Sequence, residues 1–134
     1  MPPATQITQL RFRDRNRAEP VEIWKARKFI HENSNEKLGL TKVARAVNIS
    51  ANHLSEKFKE VTGVNFVEYI ARTRIEKARV LLQNSTKRIT EIAFAVGFQS
   101  LSQFNRSFKK FTRQSPTQFR AAQPQPASVR RDIP

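Results

Sequence analysis

A chain of 134 residues with 25 Lys+Arg against 11 Asp+Glu, a formal net charge of +14, has room for one small domain or two very small ones sharing an element, and its first candidate partner is a polyanion. It contains no cysteine, so disulfides and thiolate zinc sites are excluded. No apolar h-region accompanies the basic N-terminus, and nowhere do 18 apolar residues run together; neither export nor a membrane span is indicated, and the expected location is cytoplasmic.

Residues 1–19 are polar, basic and carry two early prolines, and residues 123–134 carry three more; both are expected to be disordered tails. Between them apolar residues recur three and four apart with only three glycines, an all-α pattern of seven helices. The first, "EPVEIWKARKFIHENS", is expected to bury Ile23, Trp24, Phe29 and Ile30, with Glu19 and Glu22 early, where the helix dipole favours acids. The second, "LTKVARAVN", is expected to start after a Thr41 N-cap, bury Val43, Ala44 and Val47, and end at Asn48, which tolerates a left-handed turn. The third, "SANHLSEKFKEVTG", has Ser50 as cap, Leu54, Phe58 and Val61 inward and Gly63 as its stop. The fourth and longest, from residue 66 to about 82, places Phe66, Ile70, Ala71, Ile75, Ala78 and Leu82 at helical spacing. "ITEIAFAV" makes the fifth and "LSQFNRSFKKFTRQ" the sixth, while "SPTQFRAA" makes the seventh, with Ser115 as cap and Pro116 in the first turn.

The chain also repeats itself. At an offset of 49, Thr41, Ala44, Ala46 and Val47 recur as Thr90, Ala93, Ala95 and Val96; at an offset of 50, Phe58, Lys59 and Thr62 recur as Phe108, Lys109 and Thr112. Each copy is a short helix with a small alanine at its inner face, a tight turn and a second helix with apolar anchors four apart. That is the pattern of a helix-turn-helix, and two copies in register make it far more specific than one.

The stretches "LTKVARAVNISANHLSEKFKEVTGVNFVEYI", "RIEKARVLL" and "RITEIAFAVGFQSLSQFNRSFKKFTRQSPTQFR" resemble the DNA-binding region of the AraC/XylS family of bacterial transcription regulators. The resemblance covers most of the chain. It implies a DNA-binding domain over residues 20–122: a first homeodomain-like helix-turn-helix subdomain at about 21–65, a linker helix at about 66–84, and a second subdomain at about 85–122. It also implies that the third and sixth helices enter successive major grooves. A helix from residue 66 to 82 is about 25 Å long, enough with flanking packing to set two readers roughly one DNA turn apart. A single monomeric domain then reads both grooves, and its site is asymmetric because the two readers differ.

On the third helix the positions outside the core stripe are Asn52, Ser55, Glu56 and Lys59. Asn pairs with adenine and Ser contacts several bases, whereas Glu56 is repelled by phosphates and serves only as an acceptor, for instance from cytosine N4. The family often has a basic residue at the position of Glu56, which is a departure; surface pairing of Glu56 with Lys59 or Asn52 is its structural alternative. On the sixth helix the resemblance assigns base contacts to Leu101, Ser102, Gln103 and Arg106, and phosphate contacts to Lys109, Lys110 and Arg113. Further phosphate contacts are expected from Lys59 and from backbone N–H groups at helix starts near Thr41, Thr90 and Ser115. His31 and His53 are too far apart, and too short of partners, for a metal site, with His53 expected near DNA. No cofactor is called for.

Two other functions fit the composition less well. An enzyme built on Glu32, Glu36 or Glu91 with a histidine is disfavoured, since no nucleophile, paired carboxylates or Gly-rich phosphate loop stands at useful spacing. An architectural or RNA-binding protein acting on charge alone predicts weak sequence preference. The resemblance further implies activation by contact with RNA polymerase, with repression by occupancy as the alternative, and a sensor or dimerisation domain ahead of this one. The basic N-terminal tail reads as a cut linker, and the chain as a fragment rather than a stand-alone regulator.

Overall fold

Seven helices make up about three quarters of residues 19–123, the part of the chain described by the computed structural model. They are α1 (Val21–Asn33), α2 (Leu40–Ala46), α3 (Ala51–Thr62), α4 (Phe66–Asn84), α5 (Ile89–Ala95), α6 (Leu101–Thr112) and α7 (Pro116–Ala122). Among the described residues there is no strand, and the fold is the expected all-α, two-helix-turn-helix architecture. Apart from Glu19 and Gln123, the two expected tails lie outside the described residues.

The chain divides into two compact units after Ile70, inside α4. The reason is visible in what α4 buries: Phe66 and Ile70 in its first turns join one core, and Ile75, Ala78 and Leu82 join another. The first core is completed by Ile23, Ala26 and Ile30 of α1, Val43 and Ala44 of α2, and Leu54 and Phe58 of α3. The second takes Ile92 and Ala93 of α5, Val96 and Phe98 of the following turn, Phe104 and Phe108 of α6, and Phe119 of α7.

Two sequence expectations fail at the ends of α1 and α2. Trp24 is 48% exposed, with the Lys28 ammonium 5.6 Å from its ring, and Ala26 holds the inward place. Ile23, Ala26 and Ile30 keep the three-and-four spacing of one stripe, and Trp24, one residue past Ile23, lies about 100° off it. Thr41 is not the cap of α2; the helix begins two residues earlier than that cap would place it, at Leu40, with Gly39 in extended backbone as N-cap and no side-chain cap.

The repeat in sequence is a repeat in hydrogen bonding. After α2 the Asn48 N–H donates to the Arg45 carbonyl (3.2 Å) and the Ile49 N–H to the Ala44 carbonyl (3.0 Å); after α5 the Gly97 N–H donates to Phe94 (3.1 Å) and Phe98 to Ala93 (3.0 Å). Both are Schellman closures, with Asn48 at φ 65° and Gly97 at φ 113° in the left-handed position. The second turn holds one extra residue, Gln99, which is where the offset changes from 49 to 50. At the far ends, the Thr62 hydroxyl lies 2.8 Å from the Phe58 carbonyl and accepts the Val64 N–H at 3.3 Å; the Thr112 hydroxyl lies 2.8 Å from the Phe108 carbonyl and accepts the Gln114 N–H at 3.2 Å.

Candidate nucleic-acid interface

The start of α6 is fixed by Ser100, whose hydroxyl accepts the Gln103 N–H at 3.1 Å. Its inner face is fixed by a run of aromatic rings: Phe98 to Phe104 at 5.4 Å between centroids, Phe104 to Phe108 at 5.6 Å, and Phe108 to Phe119 at 5.4 Å. Such pairs add about 0.5–1.5 kcal/mol each beyond their burial. The helix is therefore tied at once to the turn before it and to α7 after it, which fixes which of its faces is turned inward. Phe111 is half-buried against the same core, with the Arg72 guanidinium and the Lys110 ammonium each 5.6 Å from its ring.

That packing decides what α6 holds outward. Leu101, Ser102, Gln103, Arg106, Lys109 and Lys110 are all exposed. Ser102, Arg106, Lys109 and Lys110 line one shallow surface depression together with Asn105, which sequence reasoning passed over. Asn105 stands three residues after Ser102 and four before Lys109, so helical spacing alone puts it among them. Arg113 closes α6 in the left-handed conformation, φ 68°, exposed, its N–H bonded to the Lys109 carbonyl at 2.8 Å. Among the described residues, Arg106, Lys109, Lys110 and Arg113 have no carboxylate partner, and neither α6 nor α7 contains an acid.

In the first unit Ser50 caps α3 by accepting the His53 N–H at 3.1 Å. Asn52, Glu56 and Lys59 are exposed and Ser55 half-buried. The surface alternative for Glu56 is not realised, since Glu56 has no ion-pair partner among the described residues; it is Lys57 that reaches Glu60, at 3.6 Å. His53 occupies the register position of Gln103, and its Nε2 lies 3.6 Å from the Glu22 carboxylate of α1, a cross-helix contact with no local sequence signal.

The helix starts are unequal. In α2 the first N–H with a helical acceptor is that of Val43, bonded to Gly39, and in α5 it is that of Ile92, bonded to Arg88; the Thr41 and Thr90 N–H groups precede these and lack helical acceptors. At α7 the Ser115 N–H is already taken by the Gln118 side chain at 2.9 Å while its hydroxyl accepts the Gln118 N–H. Arg120 is turned inward: its guanidinium donates to the Lys87, Ser85 and Leu82 carbonyls at 2.7, 3.0 and 3.3 Å, latching α7 to the segment after α4. No group of three or more metal-ligating side chains occurs among the described residues.

Two capped recognition-type helices, each following a Schellman-closed turn, with a basic, carboxylate-free face on one of them, define a helix-turn-helix DNA-binding protein. Comparison with known proteins gives the family. A family model described as a helix-turn-helix domain matches residues 43–122, and the chain belongs to the AraC/XylS family of bacterial transcription regulators, which are DNA-binding proteins and not enzymes. The uncharacterized HTH-type transcriptional regulator SAS0078 of Staphylococcus aureus is 41% identical over 96 residues, covering 72% of this chain and 13% of that protein. The Msm operon regulatory protein of Streptococcus mutans is 30% identical over 105 residues, covering 78% of this chain and 38% of that protein. The chain thus spans well under half the length of these curated relatives. Among solved structures, the C-terminal domain of AraT, a response regulator from Geobacillus stearothermophilus, is 31% identical with a TM-score of 0.77, covering 81% of this chain and 90% of that one. The DNA-binding domain of AdpA, solved in complex with a target DNA, shares the fold at 22% identity and a TM-score of 0.71, covering 84% of this chain and 97% of that one.

Proposed function

We propose that this chain binds a specific, asymmetric double-stranded DNA site, as the reading part of a bacterial transcription regulator, by placing α3 and α6 in successive major grooves as a monomer. The observation that carries the reading is the outward face of α6: exposed Gln103 and Arg106 beside exposed cations, with no acid on that helix. Arg106 makes a bidentate contact to guanine, worth about 1–3 kcal/mol of discrimination, Gln103 pairs with adenine, and Leu101 meets a thymine methyl. Ser102 contacts an adjacent base edge, and Lys109, Lys110 and Arg113 hold phosphates. In the first unit Asn52, Ser55 and Glu56 face bases and Lys59 a phosphate, with the helix starts at Thr41 and Thr90 and the region of Ser115 as further phosphate contacts. The protein acts in the cytoplasm, and its regulatory effect is activation through contact with RNA polymerase, with a sensor or dimerisation domain elsewhere in the full regulator.

Selection of duplexes from a random pool tests this directly. Recovery of a consensus bound at least a hundredfold more tightly than random duplex at one fixed salt concentration is expected, and Arg106→Ala should lose about tenfold on that consensus while barely changing on random duplex. A pool that yields no consensus would leave a protein acting through its +14 charge alone.

A further inference from the structure

The two helix-turn-helix units share a fold but not a charge. Residues 19–70 carry eight Lys/Arg against seven Glu, a net of +1, while residues 71–123 carry eleven Lys/Arg against two Glu, a net of +9. The imbalance is sharpest on the two reader helices, aligned at the offset of 50. Arg106 of α6 corresponds to Glu56 of α3, Lys110 to Glu60, and Arg113 to Gly63; only Lys109 keeps its charge, as Lys59.

Local pairing shows where that balance is struck, while in the second unit Arg79 lies 3.1 Å from Glu76. In the first unit Arg27 is held bidentately by Glu19 at 2.8 and 2.9 Å, Lys42 lies 3.6 Å from Glu36, Lys57 lies 3.6 Å from Glu60, and Lys28 lies 4.0 Å from Glu32. Half of the cations of residues 19–70 are thus already answered by carboxylates of the same stretch. The start of α3 also has the Glu22 carboxylate beside His53, and Glu56 in the next turn is exposed and has no ion-pair partner among the described residues. The outward face of α6 meets no such opposition.

Sequence-independent affinity for DNA comes from cations that replace condensed counterions, and an exposed carboxylate facing the groove subtracts from it. Resting on the DNA-binding reading above, we infer that the units divide the work. The second is the electrostatic anchor that holds any duplex. The first adds affinity only on the correct sequence, with Glu56 as the filter: it is repelled wherever no amino donor, such as cytosine N4, meets it. Specificity in the first unit is then set by rejection of wrong sites as much as by attraction to the right one.

The experiment titrates the full chain against the selected duplex and random duplex over a range of salt. Lys109→Ala should flatten the salt slope on random duplex by about one, and Lys59→Ala by clearly less; equal flattening by both overturns the anchor assignment. Glu56→Arg should raise affinity for random duplex by about tenfold and shrink the ratio of selected to random affinity by at least as much. An unchanged ratio overturns the filter, and Glu56→Gln, which keeps shape and loses only charge, should move the ratio in the same direction. If the wild-type chain binds no duplex at all, the underlying DNA-binding reading fails instead, so the two failures are distinguishable.

Discussion

Gly97 carries the sharpest single-residue demand in the molecule. Its φ of 113° lies beyond the left-handed helical well in which Asn48, its counterpart in the first unit, sits at 65°. An L-side chain reaches 65° at modest cost, Asn most easily, whereas 113° is close to glycine-only territory, and a β-branched residue there is strained by about 2–3 kcal/mol. The Gly97 turn also positions Phe98, whose ring begins the aromatic run that holds α6. Gly97→Val should therefore lower the stability of the second unit by about 2–3 kcal/mol in denaturant unfolding, while Asn48→Gly should change that of the first by less than about 1 kcal/mol. Full retention of stability by Gly97→Val would mean that the turn relaxes to negative φ without loss.

At the scale of the element, α3 and α6 end differently for the same backbone geometry. Gly63 takes the left-handed cap of α3 at φ 84° without penalty, and Arg113 takes that of α6 at φ 68°. A left-handed non-glycine costs about 1–2 kcal/mol, partly offset by the smaller entropy its unfolded state loses. The expected consequence is that Arg113→Gly raises the stability of the chain by about 0.5–1 kcal/mol and weakens DNA binding on every sequence alike. A drop in melting temperature would show that the Arg113 side chain makes packing contacts worth more than the strain. Part of this punctuation is legible in the residues themselves: Ser50 and Ser115 cap and Gly63 closes α3 as their positions require, whereas the Ser100 cap and the left-handed Arg113 are seen only in the structure. The failures share one cause, the weighting of residue type above spacing. Trp24 is the larger apolar residue but Ala26 keeps the stripe, and Thr41 is a stronger cap type than Gly39 but stands inside the helix that Gly39, itself an acceptable N-cap, begins. Contacts bridging distant segments, such as the Arg120 latch over more than thirty residues or His53 against Glu22, leave no local period to find.

For the molecule as a whole, the proposed function turns on two reader helices that are unlike and covalently ordered. Asn52, Ser55 and Glu56 precede Leu101, Ser102, Gln103 and Arg106 along one chain, each set on a helix anchored in its own core. A symmetric dimer meets two equal half-sites and is indifferent to their order, whereas a chain with two different readers fixes both the identity and the order of what it reads. The two halves of the selected duplex should therefore not be interchangeable. Exchanging them, with length, spacing and base composition held constant, should reduce affinity to that for random duplex at the same salt, as measured by equilibrium titration. The electrostatic part of the binding depends only on phosphates and should survive the exchange, so the salt slope is expected to stay close to its original value. Undiminished affinity after the exchange would mean that a single unit supplies all the base reading and the other only rests on the backbone.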